Sequence, residues 1–99
     1  MSLPIGSIVN WIVGMPGPDI DQAMVIGHNE GRYTIRFQCY GRGPWHEASE
    51  REDRVWLVKD PDFGKLVFGR GGIQTILDPV ANLRAERDRL KITKPEGSL

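Results

Sequence analysis

Residues 31–40 of this chain read GRYTIRFQCY, and the alternation within this stretch decides the fold. Successive side chains of a β-strand point to opposite faces of the sheet. One face would carry the apolar side chains Tyr33, Ile35, Phe37 and Cys39, and the other would carry Arg32, Thr34, Arg36, Gln38 and Tyr40. A strand with one apolar and one polar face is half-buried, as in a small antiparallel sheet. We expect the polar face to be the working surface.

Several short stretches around this strand also favour β-structure. Residues 6–13 (GSIVNWIV) are rich in β-branched and aromatic side chains and predict a first strand, and residues 20–27 predict a second. HNEG at 28–31 predicts a turn in which Asn29 and Gly31 take positive φ, so that residues 20–40 form a hairpin. Further strands are predicted over residues 54–58 and 65–69, and residues 73–77 are expected to form either a last strand or a lead-in to the helix.

Residues 41–53 (GRGPWHEASERED) are polar, contain two glycines and a proline, and predict the longest loop of the chain. Asp78 and Pro79 are typical of an N-cap and a first helical position, and they predict a helix over residues 78–92. Val80, Leu83 and Leu90 would share one stripe of that helix with Arg87. So narrow a stripe indicates a helix that lies against a barrel edge or a partner.

The predicted fold class is mostly β: a small antiparallel sheet of five or six strands with a C-terminal α-helix. GSIVNWIV at 6–13, AMVIGHNEGRYTIRF at 23–37 and the following Trp45 resemble the SH3-like barrels and, among them, Tudor-like modules. The resemblance implies a barrel over residues 6–77. As the ends of the chain, residues 1–5 and 93–99 are expected to be a flexible N-terminus and a flexible tail. Tudor modules that read methylated side chains hold them in an aromatic cage, which makes Trp11, Tyr40 and Trp45 cage candidates.

The composition limits the classes of function that this chain can have. The chain has 99 residues and no net charge, so no global field draws it to DNA or to an anionic membrane. Its longest apolar run falls short of the roughly 20 residues of a spanning helix, and the N-terminus shows no secretory signal. Cys39 is the single cysteine, so no internal disulfide can form, and we expect this thiol to be buried. A reducing, cytoplasmic location fits this cysteine usage.

Catalytic motifs are weak in this sequence. HEASE at 46–50 has Glu50 where a zinc-binding HExxH motif needs a second histidine, and GRGG at 69–72 lacks the lysine and hydroxyl residue of a P-loop. DFG at 62–64 matches a kinase tripeptide by chance, because 99 residues cannot house a kinase. We therefore expect no catalytic residue, no cofactor and no metal site, with an enzyme as the third-ranked hypothesis.

Basic and aromatic side chains cluster around the central strand and the segment that follows it. The candidate binding residues are Arg32, Arg36, Tyr40, Arg42, Trp45 and His46. Arginine, tyrosine and tryptophan dominate protein interfaces, so the first hypothesis is a non-catalytic module that docks a protein partner or its own copy. The alternative is nucleic-acid binding through Arg32, Arg36, Arg42 and the basic C-terminal helix, because cations and rings also line single-strand grooves.

Overall fold

The computed structural model describes residues 2–13, 19–39, 43–60, 66–70 and 73–95. Its strands are β1 (Ile8–Val13), β2 (Asp19–Asn29), β3 (Arg32–Gln38), β4 (Trp45–Arg51), β5 (Val55–Leu57), β6 (Leu66–Arg70) and β7 (Ile73–Leu77). A 3-10 helix (Glu52–Arg54) joins β4 to β5, and one α-helix, α1 (Pro79–Arg89), follows β7. The prediction of a mostly β chain with a C-terminal helix is confirmed. No helix in the described ranges is both long and apolar enough to cross a membrane.

Five of the strands form one antiparallel sheet in the order β4-β3-β2-β1-β5, and β6 and β7 pair as a separate two-stranded sheet. The predicted hairpin over residues 20–40 is confirmed as β2 and β3. Its turn consists of Glu30 and Gly31, with φ of 50° and 76°. Two positive φ values in a two-residue loop are typical of a type I′ turn, which matches the twist of the flanking strands. Asn29, which the sequence predicted in the turn, instead pairs with Arg32 as part of β2.

The predicted long loop over residues 41–53 is wrong, because most of it is strand β4, which pairs with β3 along its whole length. The sequence did not predict β4 as a strand because its residues are mostly polar. Edge strands often carry charged side chains on both faces, since these discourage pairing with other chains, and such a strand has no apolar alternation to detect.

The five-stranded sheet is rolled, because a short connection links its two outer strands. Strands lie about 4.8 Å apart, so β4 and β5 would be about 19 Å apart in a flat sheet. The 3-10 helix between them has three residues, and such a helix rises about 2 Å per residue. This connection is far too short to span a flat sheet, so the sheet must curve to bring β4 and β5 together. The indole N–H of Trp11 in β1 also donates to Oε2 of Glu50 in β4 at 3.0 Å, across two intervening strands. β4 and β5 do not pair with each other, so the sheet is not closed.

Each face of this sheet has its own core. The inner face, on which Trp11 and Glu50 meet, buries Val9, Trp11, Ala23, Val25, Tyr33, Ile35 and Val55. On the outer face, helix α1 packs Val80 and Leu83 against Ile8, Met24 and Val58, with Ile26, Trp45 and Ile92 at the margin. The apolar face predicted for β3 is the inner one for Tyr33, Ile35 and Phe37. Cys39 is exposed, however, because β3 ends at Gln38, so its predicted burial is wrong.

Helix α1 begins as the sequence predicts. The Asp78 side chain accepts a hydrogen bond from the N–H of Ala81 at 3.0 Å, and Pro79 is the first helical residue. The helix ends at Arg89, where Lys91 takes a φ of 58° and the N–H of Ile92 donates to Arg87 O at 3.1 Å. These are the features of a Schellman motif, in which glycine is the preferred residue with positive φ.

The stripe predicted on helix α1 is only partly correct. Val80, Leu83 and Arg87 are buried, but Leu90 is 37% exposed, since the helix ends one residue before it. Arg87 also joins the helix to the N-terminal segment through a hydrogen bond. The residue is 3% exposed, its guanidinium donates from Nη1 to Gly6 O at 2.8 Å, and burial lowers the pKa of the side chain.

Candidate functional site

A groove opens where helix α1 crosses the β3–β4 end of the sheet. Its volume is about 320 Å³, and it is lined by Gln38, Trp45, Asn82, Ala85, Glu86 and Arg89. The two strands supply Gln38 and Trp45, which lie directly opposite each other in the β3–β4 register. The helix supplies residues spaced by three or four positions, which therefore share one face. A space of this size suits one or two side chains of a ligand.

Charged groups form a chain of ion pairs beneath the groove. Arg36 donates from Nε to Glu86 Oε2 at 2.9 Å and from Nη1 to Glu47 Oε2 at 2.9 Å. Glu86 is 3% exposed and also accepts from Nε of Arg89. The hydrogen bond from Arg89, followed by that from Arg36, holds the pKa of Glu86 below its ordinary value, although burial acts in the opposite direction. This network joins the helix to the middle of β3.

Trp45 forms the aromatic wall of the groove. Its indole is half-buried and packs at the margin of the outer-face core. The guanidinium carbon of Arg36 lies 5.5 Å from the centre of its ring, within the range of a cation–π contact. Core packing and this contact hold the ring in place, so a ligand would lose little freedom of that side chain on binding.

Two amides form the polar end of the groove. Asn82 donates from Nδ2 to Gln38 Oε1 at 3.3 Å, and Gln38 donates from Nε2 to Gly43 O at 2.7 Å. Ala85 is exposed and leaves the space between helix and strand open. The groove therefore offers a rigid indole, amide groups and a balanced pair of charges to a ligand.

The structure brings together only part of the predicted site. Arg36 and Trp45 share the outer face, as predicted, but α1 covers much of that face, so Arg36 is only 18% exposed at its side chain. Arg32 lies farther along the same face and donates from Nε to Ser49 Oγ at 2.9 Å. His46 points to the inner face, where its ring lies 5.7 Å from Phe37. Tyr40 and Arg42 lie outside the described residues.

The aromatic residues proposed for a cage do not converge where the structure describes them. Trp11 lies on the inner face, where its ring centre is 4.5 Å from that of Phe37. Trp45 lies on the outer face beside the helix. Since the sheet separates the two indoles, Trp11 and Trp45 do not form one cage.

Sequence reasoning missed the helical wall of the groove. Asn82, Glu86 and Arg89 are polar and follow one another at intervals of four and three residues, which places them on one helix face. That stripe lies beside the apolar one and could have indicated a polar surface next to the core. No local pattern indicates that this stripe meets Arg36, because Arg36 and Glu86 are 50 residues apart.

Comparison of the chain with protein-family models, with curated proteins and with solved structures gives no match. Within the described ranges, no group of three or more histidine, cysteine, aspartate or glutamate side chains is placed to hold a metal ion.

Proposed function

We propose that this chain is a non-catalytic binding module that docks a protein partner at the groove between helix α1 and strands β3 and β4. The observation that carries the proposal is the fixed, half-buried indole of Trp45 in the wall of an open groove. Tryptophan and arginine are the residues on which binding energy concentrates in protein interfaces. Arg36 lies over the indole and Arg89 lines the same groove, and each is positioned by Glu86.

The charges near the groove favour a protein over a nucleic acid. Arg36 is held by two carboxylates, Glu86 and Glu47, so its charge is already neutralised. A phosphate backbone binds through unpaired cations whose counterions it releases. Nucleic-acid binding through Arg32, Arg36, Arg42 and the basic helix therefore stays the alternative, and the experiment below includes it.

We also propose that the rolled sheet is a partly open member of the SH3-like small barrels. Two features support this assignment: the sequential strand order from β1 to β4, and β5 beside β1 after a single 3-10 turn. Such a barrel presents its ligand surfaces at strand edges and connecting segments, which are held by a rigid sheet. A cytoplasmic location stays a prediction from cysteine usage.

The proposal can be tested by selecting a phage library of random peptides on the immobilised chain. The affinity of synthetic copies of the selected peptides is then measured by fluorescence anisotropy. Ala85→Arg fills the groove, and Ala81→Arg is the matched control, because Ala81 is exposed on the same helix but does not line the groove. We expect Ala85→Arg to weaken binding at least about tenfold and Ala81→Arg to change it less than about threefold.

Single-stranded RNA and DNA of mixed sequence are titrated in parallel at several salt concentrations. Tight nucleic-acid binding with a log–log salt slope of roughly −0.7 per phosphate contact or steeper would favour the alternative. Peptides that bind wild type and Ala85→Arg equally would place any binding surface elsewhere and would contradict the proposal.

A further inference from the structure

Strand β4 is an outer strand of the five-stranded sheet, and among the described residues no strand pairs with its second side. None of its residues is buried, and His46, Glu47, Ser49 and Arg51 are exposed. An outer strand of this kind presents a row of backbone N–H and C=O groups that can pair with another strand.

The β3–β4 ladder shows which residues turn their backbone groups outward. The N–H of Glu52 donates to Gly31 O at 3.2 Å, which makes residues 31 and 52 a hydrogen-bonded pair. Hydrogen-bonded and non-hydrogen-bonded pairs alternate along an antiparallel ladder, and the register continues without a shift from Arg32↔Arg51 to Gln38↔Trp45. The outward groups therefore belong to the odd-numbered residues of β4, namely Trp45, Glu47, Ser49 and Arg51. In agreement, Ser49 O accepts a hydrogen bond from a side chain, Nη2 of Arg32, at 3.1 Å.

We propose that two copies of this chain pair through their β4 strands, antiparallel, about a two-fold axis at Ala48. Trp45 then faces Arg51 of the second copy, and Glu47 faces Ser49. These are pairs of outward-turned residues, so they exchange N–H···O bonds, up to about eight across the interface. His46 faces Glu50 and Ala48 faces Ala48 in the pairs between them. The contact uses the same surface on both copies, as a two-fold dimer requires.

The order of the side chains along WHEASER argues for a second copy as the occupant. In the two-fold register His46 faces Glu50, whose carboxylate also accepts from Trp11 at 3.0 Å within its own copy. Trp45 faces Arg51, whose guanidinium also pairs with Asp53 of its own copy. Opposite charges and cation–π pairs across strands are favourable, whereas like charges directly opposite are unfavourable. No like charges face each other directly in this register, and all residues of β4 take part.

Neighbouring registers with the same outward residues fit less well. A shift that centres the axis on Glu47 places the two Glu47 carboxylates opposite each other. A shift that centres it on Ser49 pairs β4 with residues 52 and 53, which belong to the 3-10 helix and not to a strand. Charged outer strands usually repel other chains. In this strand, repulsion between the two Glu47 carboxylates disfavours the Glu47-centred register, whereas the Ala48-centred register places no like charges directly opposite each other.

The inference goes beyond the proposed function, because the two copies would pair along the backbone edge of β4, whereas a partner's side chains would occupy the groove beside Trp45. Pairing through β4 would bring Arg51 of the second copy next to the indole, at the margin of the groove. The dimer would therefore contribute a cation to each groove. The two proposals can nevertheless fail separately, since a monomer can bind a peptide in the groove and a β4 dimer can form with the groove empty.

The first test is sedimentation equilibrium of the full chain over about 1–200 μM. The wild type should show twice the chain mass of 11.1 kDa at the upper concentrations. His46→Glu places two carboxylates opposite each other at both symmetric positions and should raise the dimer dissociation constant at least about tenfold. His46→Lys places an ammonium group opposite Glu50 and is the matched control, which should bind no more than about threefold more weakly than wild type. His46 is exposed, so both variants should fold.

The second test reports the register through cysteine cross-linking in a Cys39→Ser background, which removes the exposed native thiol. Ala48 faces itself in a non-hydrogen-bonded pair, where Cα atoms lie about 4.5 Å apart, a distance that a disulfide spans. Ala48→Cys should therefore give a covalent dimer on mild oxidation. Ser49 faces Glu47 in this register, so Ser49 of the second copy is displaced along the strand. Ser49→Cys should therefore give much less covalent dimer.

A chain that is monomeric throughout the concentration range overturns the inference, and peptide binding by that monomer would leave the proposed function intact. A dimer that is insensitive to His46→Glu and that does not cross-link at position 48 also overturns it, since such a dimer uses another surface. Sensitivity to His46→Glu together with selective cross-linking at position 48 supports it.

Discussion

Replacing Glu86 by glutamine tests the ion-pair network that joins helix α1 to the sheet. Glu86 is 3% exposed, and its carboxylate accepts from Arg36 at 2.9 Å and from Arg89. Glutamine keeps the shape and one acceptor oxygen but loses the charge, and its NH₂ group faces a guanidinium. A hydrogen bond between a charged donor and acceptor contributes about 1.5–3 kcal/mol. The Arg89 side chain is 62% exposed, so solvent screens most of what its hydrogen bond adds to stability, although that bond is the first cause of the lowered pKa of Glu86. We therefore expect a loss of about 2 kcal/mol, or roughly 10 °C in Tm.

The pH dependence of stability has a defined sign. The folded pKa of Glu86 lies below its ordinary value of 4.5, so the folded state favours the ionised carboxylate. This contribution is fully present above the unfolded pKa and is lost as the pH falls through the folded pKa. Wild type should therefore lose more stability than Glu86→Gln when the pH falls from about 6 to about 3.

Urea unfolding monitored by tryptophan fluorescence, repeated across that pH range, measures both effects. Asp88→Asn is the matched control, because Asp88 is an exposed carboxylate on the same helix. We expect it to change the free energy of unfolding by less than about 0.5 kcal/mol. A Glu86→Gln variant as stable as this control at neutral pH, or one with the same acid sensitivity as wild type, would refute the reasoning.

Three further substitutions test the fold. Gly6→Ala should cost at least about 2 kcal/mol in thermal unfolding, because φ is +94° and an added Cβ would lie 2.9 Å from Thr93 O; an unchanged Tm would show that the C-terminal segment does not pack there. Lys91→Gly should stabilise by about 1 kcal/mol, because Lys91 has a φ of 58° at the helix end; equal or lower stability in urea would argue against the Schellman ending. Phe37→Ala should cost about 3 kcal/mol, since the ring packs against Trp11; a loss below about 0.5 kcal/mol would place Phe37 off the inner face.

The sequence predicted the elements whose signals are local. The central hairpin follows from alternation in GRYTIRFQCY and from glycine at the turn, and the start of the helix follows from Asp78 and Pro79. Each of these signals lies within a few residues of the structure that it specifies. Strand β4 lacks such a signal, because its side chains are polar on both faces, as suits an outer strand.

The candidate site was only partly predictable, because it depends on contacts between distant parts of the chain. Trp45 and Arg36 were predicted as binding residues from their types, and the structure places both at the groove or directly beneath it. The helix that covers Arg36 does so through Glu86, a contact that no periodicity reveals. His46 follows Trp45 in sequence but lies on the opposite face, because β4 is a strand and not the predicted loop.

The most direct test of the central claim is a ¹⁵N NMR titration with a selected peptide, read at the tryptophan indole N–H signals. The chain has three tryptophans in three environments: Trp11 on the inner face, Trp45 at the groove and Trp56, which is 40% exposed. Binding at the groove should shift the Trp45 indole signal and the Ala85 amide signal with the same dissociation constant, and should leave the Trp11 and Trp56 indoles unchanged. A peptide that binds while the Trp45 signal stays in place and that of Trp11 or Trp56 moves would contradict the account.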